Sequence, residues 1–162
     1  MTHQEFKYCF DAYFDAIRNY ICYRGSDTEV ATDLAQDVFL KLWQKELDFT
    51  EGKTKSLLYK MASDAFVSHY RKTQVAHKHE NSLDLSYETN DPQQELQYKE
   101  LKNQYENALI ELPEGQRVVF LMSRTEELTY KEIAERLELS VKAVEKRMSL
   151  ALKELKKKLN VR

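Results

Sequence analysis

The stretch TYKEIAERLELSVKAVEKRMSLALKELKKKL, Thr129 to Leu159, decides how the rest of the chain is read. Two short helices and a turn are written into it. Thr129 and Glu132 form a capping-box pattern, each side chain able to satisfy a free backbone donor at a helix start. The helix they open turns Ile133, Ala134 and Leu137 inward. After Glu138-Leu139, Ser140 caps a second helix. There Val144, Met148, Ala151, Leu152 and Leu155 recur every three or four residues as a buried stripe. Two helices crossing steeply need a small residue where they meet, and Ala134 stands at that place. The turn calls for a residue tolerant of positive φ, and Glu138 rather than glycine occupies it, so its tightness is left open. The pattern is that of a helix-turn-helix, although an ordinary helical hairpin shares parts of it.

Charge sharpens the choice. From Ser140 to Arg162 there are eight basic residues against Glu145 and Glu154, so this end carries about +6. The net charge of the chain is −2, which leaves about −8 for everything before it. A basic end on an acidic body suits a polyanionic partner for that end alone. A solvated, lysine-rich helix terminus would also account for the charge, because cations are favoured near a helix C-terminus. In a helix-turn-helix the second helix enters the major groove with its N-terminal residues at base edges. Val141, Lys142, Glu145, Lys146 and Ser149 lie opposite Val144 and Met148 and are the candidate readers. Lysine can donate to guanine O6 and N7, and glutamate can accept from cytosine N4. Ser140 sits at the same helix start. Arg147 and Lys153 are the candidate phosphate contacts, which position a helix without reading sequence.

Upstream, the same periodicity writes further helices. Asp91-Pro92 is an N-cap followed by proline at the first helical position, with Gln94 completing the start signal. That helix carries Leu101, Tyr105, Ala108, Leu109 and Leu112; Pro113 interrupts it, and Glu114 to Ser123 makes the next, with Val118, Val119, Leu121 and Met122 inward. Nearer the N-terminus, Phe6, Phe10, Phe14, Ile17 and Ile21 stripe a helix from about Gln4 to Tyr23, ended by Arg24-Gly25. Ser26 and Glu29 read as a capping box for a second, with Val30, Leu34, Val38 and Leu42 on one face. Leu47 to Thr54 reads as a loop, and Ser56 to Lys72 as a third helix supported by Leu58, Met61, Ala62, Ala65, Phe66 and Tyr70. Between the two groups, TQVAHKHENSLDLSYETND (Thr73 to Asp91) is polar and aperiodic and reads as a flexible linker. The expected architecture is all-α: two small helical domains, 1–72 and 92–162, joined by a linker, 73–91.

Several classes are set aside. Three glycines and two prolines are too few to turn an all-β chain. No apolar run approaches the roughly 20 residues of a membrane span, and no basic-then-apolar leader is present, so membrane insertion is not expected and the expected compartment is the cytoplasm. Cys9 and Cys22 lack C-x-x-C spacing and read as reduced thiols. His77 and His79 lack acidic or thiol partners at matching spacing, so no metal and no cofactor is expected. Without a nucleophile-base constellation or a phosphate-cradling loop, the chain does not read as an enzyme.

The segment from Leu112 to Leu155 resembles the fourth conserved region of the extracytoplasmic-function (ECF) sigma factors, through Leu112-Pro113-x-x-Gln116-Arg117 and Lys131-Glu132-Ile133-Ala134. Asp33-Leu34-Ala35-Gln36-Asp37-Val38-Phe39-Leu40-Lys41-Leu42-Trp43 is similar to that family's second region, and the two occur in the family's order. The resemblance implies promoter DNA and core RNA polymerase as partners, and an anti-sigma factor as a further one to be considered. It implies that Asp33, Gln36, Asp37 and Leu40 dock on the coiled coil of the polymerase clamp. From spacing alone these four share one helix face, which could equally be a plain solvated surface. It also implies that Phe49 to Ser56 is the loop capturing a flipped base of the minus-10 element, with Lys53, Thr54 and Lys55 supplying charge and hydrogen bonds. The following helix would read the rest of that element, with Lys60, Arg71 and Lys72 on phosphates. That helix departs from the family at Leu57, Asp64 and Ser68, which leaves the preferred minus-10 bases open. The basic C-terminal helix would read the minus-35 element. Two other readings remain at this point: a conventional helix-turn-helix regulator that binds duplex sites by itself, and a helical interaction adaptor with no DNA role.

Overall fold

The computed structural model describes residues 1–73 and 92–160, and these form seven α-helices. They are α1 (His3–Tyr23), α2 (Thr28–Gln44), α3 (Glu51–Thr73), α4 (Pro92–Glu111), α5 (Glu114–Thr125), α6 (Tyr130–Leu137) and α7 (Val141–Lys158). The expected linker lies, apart from Thr73, outside the described residues, as do His77 and His79.

Helices α1 to α3 pack as one group. Thr2 caps α1 in a complete capping box with Glu5. Its buried face is Cys9, Tyr13, Ile17, Tyr20, Ile21 and Tyr23 rather than the phenylalanine stripe the sequence suggests. The stripe is displaced because α1 packs against both α2 and α3, and Phe10 is left 38% exposed. Phe10 instead stacks on Phe14 at 4.7 Å and meets Phe39 edge-on at 5.3 Å, making an aromatic rim between α1 and α2. Gly25 follows the helix with φ 118°, a conformation that glycine reaches at little cost. The cap of α2 is Asp27, whose carboxylate accepts from Val30 N at 2.8 Å. Ser26, one residue earlier, is buried and donates to the Asp27 carbonyl, so the expected Ser26–Glu29 box is not formed. On α2 the buried side chains are Ala31, Ala35, Val38, Phe39 and Leu42, while Val30 and Leu34 are half-buried.

The largest correction concerns the start of α3. The sequence reads Leu47 to Thr54 as a loop, yet the helix begins at Glu51. Two α1 side chains hold that first turn: the hydroxyls of Tyr8 and Tyr13 both donate to Glu51 Oε1, at 3.0 and 3.1 Å. Gly52 meets nothing within 4 Å and is simply carried in the first turn.

Helices α4 to α7 form the second group. Ala108, Leu109 and Leu112 of α4 are buried, but Leu101 is 60% exposed because only the C-terminal half of α4 reaches the core. Helix α5 is buried along Arg117 to Met122 and packs on α7. The two groups also touch, α1 against α5 and α3 against α6. No helix is long and apolar enough to cross a membrane among the described residues.

Candidate nucleic-acid interface

The helix pair α6–α7 is built by its caps. Thr129 accepts from Glu132 N at 3.2 Å, and Ser140 accepts from Ala143 N at 3.1 Å, so each helix start has one of its free donors satisfied. Between them Glu138 takes the left-handed conformation, φ 55° and ψ 43°. The turn closes as Leu139 N donates to the Ala134 carbonyl at 2.9 Å. The turn therefore forms without its glycine, at a cost of roughly 1–2 kcal/mol for a residue that carries a Cβ. Ile133 and Ala134 are buried at the crossing, as the spacing requires.

On α7 the buried side chains are Val144, Met148, Ala151 and Leu155. At about 100° per residue, Lys142, Lys146 and Ser149 project from the opposite side and Glu145 from the flank, whereas Val141 lies about 60° from Val144, at the edge of the buried stripe. All five are exposed, Val141 by 42%. Lys153 is also exposed and shares that face, about 16 Å further along the axis than Lys142. Arg147 stands apart. It is half-buried, packed so closely over Gly115 that a Cβ there would lie 3.2 Å from its Nη1. The Ser140 hydroxyl is engaged in capping, so what it contributes is the helix start.

A second exposed line runs along α3. Lys53, Lys60, Asp64 and Arg71 fall within about 40° of one another around the axis, opposite the buried Leu58 and Ala62, over about 27 Å. All four are exposed, as is Lys72. Two of the expected minus-10 residues are placed differently. Thr54 is 5% exposed and its hydroxyl accepts from Thr50 N at 3.4 Å; it is a packing and end-of-loop residue, not a displayed donor. Lys55 is half-buried with its ammonium 5.4 Å from the centre of the Tyr13 ring, whose hydroxyl burial pushes well above its ordinary value. The loop itself shrinks to the stretch before Glu51. It is held by the N-terminal ammonium, which donates to the Leu47 carbonyl at 2.7 Å, and by Phe49 against Tyr8.

On α2, Asp33, Gln36, Asp37 and Leu40 are all exposed on one face, and neither aspartate has an ion pair with a described residue. Leu40 is 56% exposed, and Trp43 one turn on is 42% exposed. Acidic side chains flanking bare apolar surface suit a partner that is basic and apolar together. Among the described residues no three metal-ligating side chains come together.

Sequence reasoning missed three arginines and a glutamate. Arg24, Arg117 and Arg136 tie the two helical groups together, and Arg117 is buried with its Nε donating to the Tyr23 carbonyl at 2.7 Å. Burial draws its guanidinium below the ordinary value. Glu126 has its Oε2 buried and unpaired among the described residues, and burial pushes its carboxyl up to about 7. The only available signal was Gln116-Arg117, a polar pair near the start of an apolar helix.

Residues 9–75 match the family described as sigma-70 region 2, and residues 102–155 match sigma-70 region 4. Over 132 residues the chain is 30% identical to the RNA polymerase sigma factor YlaC of Bacillus subtilis (strain 168), covering 77% of this chain and 75% of that protein. The chain belongs to the sigma-70 family of RNA polymerase sigma factors. It is also 24% identical to the ECF RNA polymerase sigma factor SigM of the same organism, over 76% of each chain. The fold matches that of the sigma factor RpoE from Bartonella quintana, solved with the anti-sigma factor NepR: TM-score 0.61, 18% identity, 98% of both chains covered. Of the readings open at the sequence level, the ECF sigma factor is the one that stands. A sigma factor of this kind is not an enzyme; it recruits core polymerase to promoters and initiates transcription, with its region 4 helix-turn-helix as a DNA-binding element.

Proposed function

We propose a division of labour within this sigma factor. Residues 1–72 and 92–162 act as two functional units. The exposed face of α2, Asp33, Gln36, Asp37 and Leu40, docks on the polymerase clamp. The Lys53–Arg71 line of α3 engages the minus-10 element, with Lys72 beside it on phosphate. Helix α7 reads the minus-35 element through Lys142, Glu145, Lys146 and Ser149, with Val141 against a base and Lys153 on phosphate. The observation that carries this reading is the α7 face: Lys142, Lys146 and Ser149 exposed opposite a buried stripe, with Glu145 exposed at its flank, at the N-terminal end of a capped helix. The protein works in the cytoplasm, where polymerase and promoter are. An anti-sigma factor is a further partner of this reading, as NepR is for the Bartonella protein.

The test is transcription by holoenzyme across a library of minus-35 variants at two salt concentrations. Replacing Glu145 or Lys146 by alanine relaxes base preference by roughly 1–3 kcal/mol against the preferred sequence. Lys153→Ala weakens all sequences alike and lowers the salt dependence by about one counterion. An unchanged base profile in both reader variants would remove α7 from the role of reader.

A further inference from the structure

The stretch between α2 and α3, residues 46–50, has no regular secondary structure, yet it is firmly held. Leu47 and Phe49 are half-buried and pack on the core, while Asp48 and Thr50 are exposed. The alternation is that of extended chain, whose successive side chains point to opposite sides. Asp48 and Thr50 therefore share the solvent side, their Cα atoms about 7 Å apart, close enough for both to reach one base edge.

Helix α1 pins the inward side. The Tyr8 ring meets Phe49 edge-on at 6.0 Å and Tyr13 edge-on at 6.4 Å. Its hydroxyl and that of Tyr13 both donate to Glu51 Oε1, one residue past the stretch, at 3.0 and 3.1 Å. Hydrogen bonds to a carboxylate are the stronger kind, and here two of them converge on one oxygen. At the same end Thr50 N donates to Thr54 Oγ1 at 3.4 Å, and the Thr50 carbonyl accepts from Thr54 N at 2.8 Å. The backbone around Asp48 and Thr50 is thus fixed by its neighbours. Their own side chains are uncommitted: neither makes a hydrogen bond or an ion pair with a described residue.

A base turned out of the stack is read on its Watson–Crick edge by hydrogen bonds from a fixed pocket. The other end of the expected loop does not offer them, since Thr54 is buried and Lys55 lies against the Tyr13 ring. Asp48 is acceptor-only when ionised, and the Thr50 hydroxyl can both donate and accept. An acceptor beside a donor matches cytosine, whose N4 amino group donates while N3 accepts. Adenine offers the same order at N6 and N1. Thymine carries an oxygen, O4, where cytosine has its amino group, and a carboxylate repels it. Lys53, exposed in the first turn of α3, supplies the cation for phosphate that offsets a carboxylate near DNA.

We propose that Asp48 and Thr50 are the specificity-determining residues for the captured minus-10 base. They select a base bearing an exocyclic amino group over thymine, and Tyr8, Tyr13 and Glu51 are the residues that position them. The proposal rests on the reading of this loop and α3 as the site of the minus-10 element.

In the experiment, holoenzyme rebuilt from core polymerase and the full chain transcribes a promoter library randomised through the minus-10 element. Asp48→Asn keeps the side-chain shape but can also donate to a carbonyl oxygen. It lowers discrimination against thymine about ten-fold at one position, the worth of one charge-assisted hydrogen bond, and leaves the other positions unchanged. Thr50→Val weakens the preference at that same position. Glu51→Ala flattens the profile there, and Glu51→Gln, which still offers an oxygen to both tyrosines, restores it; a merely structural loss lowers every sequence alike. An unchanged profile in any of Asp48→Asn, Thr50→Val and Glu51→Ala overturns the proposal, as does a uniform loss at all positions. So does thymine preferred by the wild type at the responding position, or a profile that answers to Lys55→Gln instead. A wild-type profile that is flat across the whole minus-10 element would sink the reading on which the proposal rests.

Discussion

Replacing Glu126 by glutamine should make the protein more stable above neutral pH and leave it unchanged in mild acid. Glu126 follows α5 with Oε2 buried and unpaired among the described residues, and burial outweighs the nearby Arg136 charge to raise its carboxyl from 4.5 to about 7. Unfolded, the group takes its proton near 4.5; folded, it takes it near 7. Between those values the folded state binds more protons. The stability contributed by the neutral acid is therefore complete below 4.5 and is lost as pH rises through 7. At about 1.36 kcal/mol per pH unit the interval corresponds to about 3 kcal/mol, an upper bound. The side chain is only partly shut off from water, so a loss of about 1–3 kcal/mol by pH 8 is the working expectation. Glutamine is neutral throughout and has nearly the same shape. Urea unfolding followed by circular dichroism, at pH 5, 6, 7 and 8, gives the wild-type minus Glu126→Gln difference, in which other titrating groups cancel. Near pH 5 the two proteins should agree within about 0.5 kcal/mol, and by pH 8 the variant should lead by about 1–3 kcal/mol. A difference that stays flat across the range would refute the reasoning.

Other expectations follow from single features. Glu138→Gly removes the left-handed strain at φ 55° and should stabilise by about 1 kcal/mol, raising the melting temperature by about 2–4 °C; no rise would mean the turn is relaxed by other contacts. Ser140→Ala deletes the cap on Ala143 N and should destabilise by about 1 kcal/mol, read from thermal melts, with duplex binding weakened for all sequences alike. Asp37→Lys reverses charge on an exposed face without touching the core and should abolish co-purification with core polymerase at an unchanged melting temperature; undiminished binding would mean that another face docks. Tyr13→Phe removes one of two donors on Glu51 and should cost about 1 kcal/mol of stability, with the start of α3 exchanging its amide hydrogens faster; equal exchange would show that Tyr8 suffices.

How much of this was legible in the sequence depended on whether the cause was local. The caps at Thr129 and Ser140, the crossing at Ala134 and the α7 stripe are fixed by residues within one or two turns, and all were readable. The start of α3 was not. Gly52, Lys53 and Thr54 look like a loop, and what winds them into a helix is Glu51 held by Tyr8 and Tyr13 from some forty residues away. Phe10 and Leu101 follow the apolar period yet stand exposed, because periodicity gives a face and not which part of that face finds a neighbour. The exposed line along α3 and the exposed faces of α2 and α7 follow from spacing once the buried stripe is known. Thr54 and Lys55 were misplaced for the same reason as the loop. The contact between the two helical groups lay beyond local pattern altogether, since a lone arginine such as Arg24 or Arg136 carries no mark of the backbone or hydroxyl it will reach.

The contact between the two helical groups has a consequence for concentration. Two modules on one chain meet at an effective concentration in the millimolar range, so a contact with Kd of about 0.1 mM as separate pieces still closes most molecules when they are joined. Cut between Thr73 and Pro92, the same two surfaces at micromolar concentration would drift apart with every side chain unchanged. Closure thus belongs to covalent connectivity as much as to the three arginines, and a protease that severs the chain would part the two halves permanently.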